Sequence, residues 1–334
     1  MASNTKQALL QALSAAEGGY ISGQRLAETL GVSRAAVHKA AAALAAQGYA
    51  LHSAPRRGYR LTGGDPFCAE AVGSYPAPIY LYDSLESSNL TAKQLALTGA
   101  PHGTLVLTSH QQAGRGRMGR VFESPAGKGV YLSLLLRPDL SAADAQTVTI
   151  GAAVAVARAV KALCGLELSI KWVNDLYYQG RKVCGILTEA GTDIESGQLE
   201  WLGVGIGLNL TTSPADWPEE LARTAGSLYP GGPAPVGRAA LAGAIARELL
   251  GLCPDFSCLD EYRALCFVPG HWVTVCTNRE TYAAKALFID GCGQLVVERE
   301  NGRTVALRQC FCPVMTAMFS RLLLGEQLST PGIL

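Results

Sequence analysis

Apolar residues recur at helical spacing through the first part of the chain and then switch to alternation. Leu9, Leu10 and Leu13 form one face of a first helix. Ser22 can cap a second, with Leu26, Ala27 and Leu30 on its buried side; Gly31 ends it and Val32 plugs the turn. Ser33 caps a third helix, with Val37, Ala41 and Leu44 inward, ending at Gly48. Tyr49–Leu51 and Tyr59–Leu61 then alternate on either side of the turn Ser53-Ala54-Pro55-Arg56-Arg57-Gly58. Three short helices and a hairpin predict a winged helix-turn-helix over residues 1–64, and Gly63-Gly64-Asp65-Pro66 reads as the hinge out of it.

The pattern over residues 65–265 predicts a second domain of strands with interspersed helices. Strands are expected at Ile79–Tyr82, Thr104–His110, Gly129–Leu136, Ser169–Trp172, Leu176–Tyr178, Val183–Glu189 and Leu199–Leu210. One helix should follow Ser87-Ser88-Asn89, and a longer one should cover Ala142–Cys164. No βαβ unit opens on G-x-G-x-x-G, which argues against a dinucleotide fold. Beyond it, Val273–Cys276, Tyr282–Phe288, Gln294–Glu298 and Thr304–Leu307 are short alternating strands separated by polar turns, in a third region over 266–316. The tail, 317–334, has helix-like spacing (Met318, Leu322, Leu323) and no assignment.

Composition changes this picture little: 49% hydrophobic and 16% charged residues in 334 describe a globular chain with a large core. Charge distribution says more. Residues 1–63 carry seven basic residues against Glu17 and Glu28, a balance of +5, while the remainder stands at −4. A basic module on an acidic body points to a nucleic-acid partner for the module. Its third helix would present Ser33, Arg34, His38 and Lys39, and its wing Arg56 and Arg57. The ten cysteines are scattered, with no C-x-x-C and no zinc spacing. Cys310 and Cys312 would share a strand face. No apolar run of about 18 residues occurs and no secretory leader opens the chain, so a reduced, cytoplasmic protein without a membrane partner is expected.

The chemistry concentrates in two places. Gln111-Gln112-Ala113-Gly114-Arg115-Gly116-Arg117-Met118-Gly119-Arg120 sets glycines among arginines between two strands. It can close over an anion, or be a solvated basic hairpin. Lys171-Trp172-Val173-Asn174-Asp175-Leu176-Tyr177 precedes Gly180-Arg181-Lys182-Val183-Cys184-Gly185-Ile186-Leu187. Lys171 beside Asp175 could be a structural ion pair. Lys182 enters an apolar strand with no obvious local acidic partner and suits an anionic ligand, or snorkels to solvent. Gly203, Gly205 and Gly207 fall on one face of their strand, where a planar ligand could lie close to the backbone. Ser87, Ser88 and Asn89 could meet a polar ligand or simply cap their helix.

Taken together, these motifs resemble the biotin–protein ligase family, specifically its bifunctional members that also repress biotin genes. The resemblance rests on Ser33-Arg34-Ala35-Ala36, Gly58-Tyr59, the Gln-Gln-Ala-Gly-Arg-Gly-Arg loop, Lys-Trp-x-Asn-Asp-Leu-Tyr, Arg-Lys-x-x-Gly-Ile-Leu and Gly205-x-Gly207-x-Asn209. It implies an α+β multidomain fold: a winged helix-turn-helix, a mixed-sheet catalytic domain like class II aminoacyl-tRNA synthetases, and a C-terminal SH3-like β-barrel. It implies that biotin and ATP form biotinyl-5′-AMP with Mg²⁺, and that biotin then passes to a lysine of a biotin carboxyl carrier protein. Operator DNA and a biotinyl-AMP-dependent homodimer are the other implied partners. Biotin would be surrounded by Ser87, Ser88, Asn89, Gln111, Gly114, Arg115, Gly116, Arg117, Lys182 and Gly185. ATP would meet Arg117, Arg120, Phe122, Lys171, Asn174, Lys182 and Asn209. Lys182, Arg117, Asp175 and Lys171 would carry the chemistry, with Asp175 also a Mg²⁺ ligand and the proton acceptor of the transfer step.

The chain departs from the family pattern in three places. Val173 stands for the usual proline, Phe122 for the usual tryptophan, and Leu307–Pro313 lacks the usual Gly-Glu-Val. A lipoate or octanoate ligase, a ligase that no longer represses, and a non-enzymatic biotin sensor are the competing readings.

Overall fold

The structure is a computed structural model that describes residues 2–308 except 17, 47, 142–144, 193–197, 254 and 278–279. The chain divides into two compact units, Met1–Tyr75 with Pro235–Gly243, and Pro76–Ala234 with Ala244–Leu334. The boundary expected at residue 64 falls inside the first unit.

In the first unit, α1 (Ala2–Ala15), α2 (Gly23–Leu30) and α3 (Arg34–Ala46) enclose a small core of Leu9, Leu13, Leu26, Val37, Ala41 and Leu44. The expected caps are in place. Ser22 Oγ accepts from Arg25 N at 3.2 Å and Ser33 Oγ from Ala36 N at 3.1 Å. Gly31 closes α2 with φ 64°, in the left-handed region glycine adopts freely. β1 (Tyr49–Ala54) and β2 (Gly58–Gly64) form the antiparallel wing, longer than the alternation alone suggested. Ile21, in the connection between α1 and α2, exchanges two backbone hydrogen bonds with Tyr59 and adds a short third strand to it. A one-turn helix α4 (Ala69–Val72) follows. Asp65, expected at the hinge, accepts from the backbone N of Arg238 at 2.7 Å and pairs with its guanidinium, so this stretch is anchored.

The second unit is built on a seven-stranded sheet. Its elements are β3 (Ile79–Tyr82), α5 (Ser88–Leu97), β4 (Leu105–Thr108), β5 (Gly129–Leu136), α6 (Ala145–Cys164), β6 (Ser169–Lys171), β7 (Asp175–Tyr178), β8 (Arg181–Thr192) and β9 (Leu199–Asn209). The strand order is β3-β4-β5-β9-β8-β7-β6, with β3 and β4 parallel and the other described neighbours antiparallel. This is the mixed sheet expected. β4 and β5 are buried along their whole length, as central strands covered on both faces should be. α6 is long and apolar enough to cross a membrane by length and composition, which the sequence reading did not register. Val148, Val154, Val156 and Val160 are fully buried, however, and Thr149 Oγ1 meets Thr188 Oγ1 of β8 at 2.9 Å. It therefore has the burial of a core helix.

Three further helices, α7 (Glu219–Ala222), α8 (Arg238–Leu252) and α9 (Leu259–Leu265), lead to β10 (Trp272–Cys276), β11 (Thr281–Ile289), β12 (Leu295–Arg299) and β13 (Thr304–Leu307). These last four form an antiparallel meander in chain order. The strands fall where the alternation put them. Within the second unit the meander meets α6 and the segment after β6 through its β11–β12 turn, where Gly293 O accepts from Gln146 Nε2 at 2.6 Å and from Trp172 Nε1 at 2.9 Å. Cys310, Cys312 and the tail 317–334 lie outside the described residues.

Candidate active site

A β-bulge decides where the key lysine points. Across β7 and β8, Leu176 pairs with Cys184 but Tyr177 pairs with Lys182, so one extra residue is inserted on β8. The extra residue reverses the alternation. Lys182 is turned onto the same sheet face as Gly185, where a Cβ on Gly185 would lie 3.5 Å from Lys182 Nζ. Its ammonium ion-pairs with Asp175 Oδ1 at 2.6 Å. This corrects the expectation that Lys182 lacks a local acidic partner. Lys171 opposes Asp175 in backbone register, but Asp175 turns to Lys182.

The glycines of β9 clear a trough on that face, which the protein's own side chains occupy. A Cβ on Gly207 would sit 2.4 Å from the Phe122 ring, and one on Gly205 would sit 2.5 Å from Asn89 Oδ1. Gly185, opposite Gly207, also lies under Phe122, since a Cβ there would be 3.4 Å from the ring. Gly207→Ala should therefore overpack the ring by about 1–3 kcal/mol. The check is the thermal midpoint, which should fall; an unchanged midpoint would mean that the ring moves aside freely.

The cationic segment is an ordered small hairpin. Gly116 N donates to Arg120 O at 2.7 Å and Phe122 N to Gly114 O at 2.9 Å, with Arg117–Gly119 as a tight helical tip. A side chain at Gly114 would meet Phe122 O at 2.3 Å, so the glycine there answers a close backbone approach. Arg117 Nη1 donates to Asn174 Oδ1 at 2.9 Å, latching the hairpin over the segment between β6 and β7. Asn174 is itself fixed, since its Nδ2 donates to Ile186 O at 2.9 Å. Arg115 faces Glu86 at 3.5 Å, both half-exposed. The tip residues Met118 and Val121 are exposed.

A polar network runs under the hairpin. Gln111 Oε1 accepts from Ser88 N at 2.9 Å and from Ser88 Oγ at 3.1 Å, while its Nε2 donates to Ser124 Oγ at 2.9 Å. Ser133 Oγ donates to Asn89 Oδ1 at 2.6 Å and lies 2.8 Å from Ser88 Oγ. Asn89 Nδ2 donates to Glu189 Oε2 at 2.8 Å and to Leu187 O at 3.1 Å. Ser87 holds the N-cap position of α5, where its side chain makes no capping bond, and the next hydroxyl, Ser88 Oγ, is turned to Gln111. Ser133, Ser124 and Glu189 were missed from sequence. Ser133 left one signal: it is the lone hydroxyl within the run Leu132–Leu136.

Asn209, at the end of β9, is buried; Nδ2 donates to Gly226 O at 3.0 Å while Oδ1 has no hydrogen-bond partner among the described residues. An unsatisfied buried acceptor is costly, and an N–H donor from a ligand would relieve it. Burial holds the thiol of Cys184, beside Lys182, well above its ordinary range, so it is no nucleophile. Burial likewise raises the phenol of Tyr262, whose hydroxyl donates to Val173 O at 3.0 Å and props the segment carrying Asn174 and Asp175.

The DNA residues expected in the first unit lie on its surface. Arg34, His38, Lys39, Arg56 and Arg57 are exposed, and the Ser33 hydroxyl is committed to its cap. The wing tip holds more than the two arginines foreseen. Arg57 stacks over the Tyr20 ring at 4.2 Å and Arg60 at 4.9 Å, and Tyr20 Oη meets His52 Nδ1 at 2.7 Å.

Comparison with known proteins agrees with both units. The Biotin/lipoate A/B protein ligase family model matches residues 81–209, which contain Lys182, Asp175, the glycine face and the cationic hairpin, and an HTH domain model matches 5–60. The bifunctional ligase/repressor BirA of Bacillus subtilis is 35% identical, over 90% of this chain and 96% of its own. The chain belongs to the bifunctional biotin ligase/repressor family. A more distant member, BirA of Escherichia coli, is 31% identical over 58% of this chain and 61% of its own. The biotin protein ligase of Aquifex aeolicus, solved in complex with biotin and ATP, shares the fold with a TM-score of 0.58 at 22% identity, covering 71% of this chain and 99% of that one.

The donor set of this family member does not fit a resident metal. Among the described residues no three His, Cys, Asp or Glu side chains gather, and the carboxylate of Asp175 already holds Lys182. A hard divalent cation asks for several oxygen ligands, which these residues do not supply.

Proposed function

We propose that this ligase activates biotin with ATP to biotinyl-5′-AMP, releasing pyrophosphate, and transfers biotin to a lysine of a biotin carboxyl carrier protein. In the first step a carboxylate oxygen attacks the α-phosphorus, so two anions must approach. The observation that carries the reading is the bulge that turns Lys182 onto the glycine face beneath the latched hairpin. Lys182 offsets the repulsion and stabilises the charge that builds on phosphorus. Arg115, Arg117 and Arg120 add positive potential from above, and Lys171 from the neighbouring strand. Ser87, Ser88, Asn89, Gln111, Gly114, Gly116 and Gly185 surround biotin. Phe122 leaves the trough and packs on adenine, while Asn174 and the unpaired Oδ1 of Asn209 meet the nucleotide. Mg²⁺ travels with ATP as part of the substrate. In the transfer step the lysine amine attacks the acyl carbon and AMP leaves; Asp175, freed as Lys182 turns to phosphate, takes the proton.

The first unit binds operator DNA in the biotinyl-AMP-loaded homodimer, through Ser33, Arg34, His38, Lys39, Arg56 and Arg57, and the protein works in the cytoplasm. The exposed cations of α3 and the wing support this part. The test is exchange of labelled pyrophosphate into ATP by the purified protein, with biotin or lipoate as the acid. Exchange with biotin alone is expected; exchange with lipoate alone would make the chain a ligase of the other acid. Gel shift of biotin-gene promoter DNA, requiring biotin and ATP, is expected to accompany it; ligation without a shift would leave the enzyme and remove the repressor.

A further inference from the structure

The sheet face that carries the site is polar at both ends, with opposite sign. At one end the bulge presents Lys182. At the other stands Glu189, on the same face as Gly185 and Leu187 because the alternation of β8 is regular there. Four residues of strand, about 13 Å, separate Gly185 from Glu189. Between them lies Asn89, whose amide has one allowed orientation. Nδ2 faces two acceptors, Glu189 Oε2 at 2.8 Å and Leu187 O at 3.1 Å, and Oδ1 accepts from Ser133 at 2.6 Å. A flip would set acceptor against acceptor at both Glu189 Oε2 and Leu187 O. Opposite Glu189 on β9 is the buried Gly203, above which a Cβ would come into ordinary contact with Trp201 at 3.8 Å and Ala92 at 3.9 Å.

We propose that Glu189 is the residue that sets the direction and selectivity of biotin binding. This rests on the reading that the glycine face holds biotin. Biotin is itself polar at both ends: a ureido ring with N–H donors, and a carboxylate. Glu189 locks the Asn89 amide and gives the far end of the trough acceptor character, which suits the ureido N–H groups. A molecule entering backwards would bring its carboxylate to Glu189, a like-charge contact. An acid with an apolar far end, such as octanoate, would bury these acceptors without a donor. Selection against the sister substrates therefore comes from this end, while Lys182 serves any acid.

The test compares Glu189→Leu with Glu189→Gln in biotin-dependent pyrophosphate exchange, with octanoate as competitor. Glu189→Leu should raise the KM for biotin about tenfold or more, the loss expected for a hydrogen bond to a charged group. Its KM for ATP and its kcat should stay at the wild-type value, and octanoate should compete more strongly. Glu189→Gln keeps an oxygen for Asn89 Nδ2 and should recover most of the biotin KM. Should the leucine variant fold poorly, Ser133→Ala removes the other side of the lock and must shift the biotin KM in the same direction. An unchanged biotin KM, or equal rises for biotin and ATP, would overturn the proposal. Wild-type protein without biotin-dependent exchange would instead overturn the biotin reading beneath it.

Discussion

Lys182→Ala should lose biotin-dependent pyrophosphate exchange by about a hundred- to a thousandfold, the size expected for removing a donor aimed at developing charge. The side chain is turned inward by an inserted residue and held by Asp175 at 2.6 Å, which fixes its ammonium beside the glycine face. The effect on stability should be small. The pair is partly exposed, 36% for the lysine and 21% for the aspartate, and such pairs contribute about 1 kcal/mol or less. The thermal midpoint should therefore move by a few degrees at most while the half-reaction collapses. Lys182→Arg should not rescue, because the planar guanidinium is longer and would bind Asp175 in a fork. Near-normal exchange by the alanine variant would refute the role given to Lys182.

The limits of sequence reading show at this residue. Lys182, the cationic loop and the Asn-Asp segment were visible because unusual residue types interrupt apolar strands. The partner of Lys182 was not, since a bulge is a property of two paired strands and neither alone announces it. The glycine face was legible as a cleared surface, yet its occupants come from elsewhere: Phe122 from the hairpin and Asn89 from α5. Ser133 and Glu189 became site residues through hydrogen bonds spanning 44 and 100 positions in the chain. The winged helix was read nearly whole because caps, glycine stops and a hairpin turn are local signals. Tyr20 was missed there for the opposite reason: it meets Arg57, Arg60 and His52 only after Ile21 has joined the wing. The four strands of the C-terminal meander followed from alternation, and their turn against Trp172 did not.

Arg117→Gly should release the adenylate before transfer. The tip of the hairpin is tied through Arg117 to Asn174, which in turn is tied to the backbone of β8. A hydrogen bond from a guanidinium contributes about 1.5–3 kcal/mol, so removing it should increase opening roughly ten- to a hundredfold. Glycine at this position also adds backbone freedom next to Gly116 and Gly119. Biotinyl-AMP is a mixed anhydride and needs no enzyme to acylate an amine; the lid contributes retention as much as rate. The variant should therefore biotinylate bystander proteins at lysines the wild type ignores, detected by blotting a mixture of unrelated proteins with streptavidin. Asn174→Ala, which removes the other half of the same bond, should leak in the same sense. Leak from the arginine variant alone would locate retention in the charge of Arg117, whereas retention by both would mean the hairpin is held by its backbone pairing and is no lid.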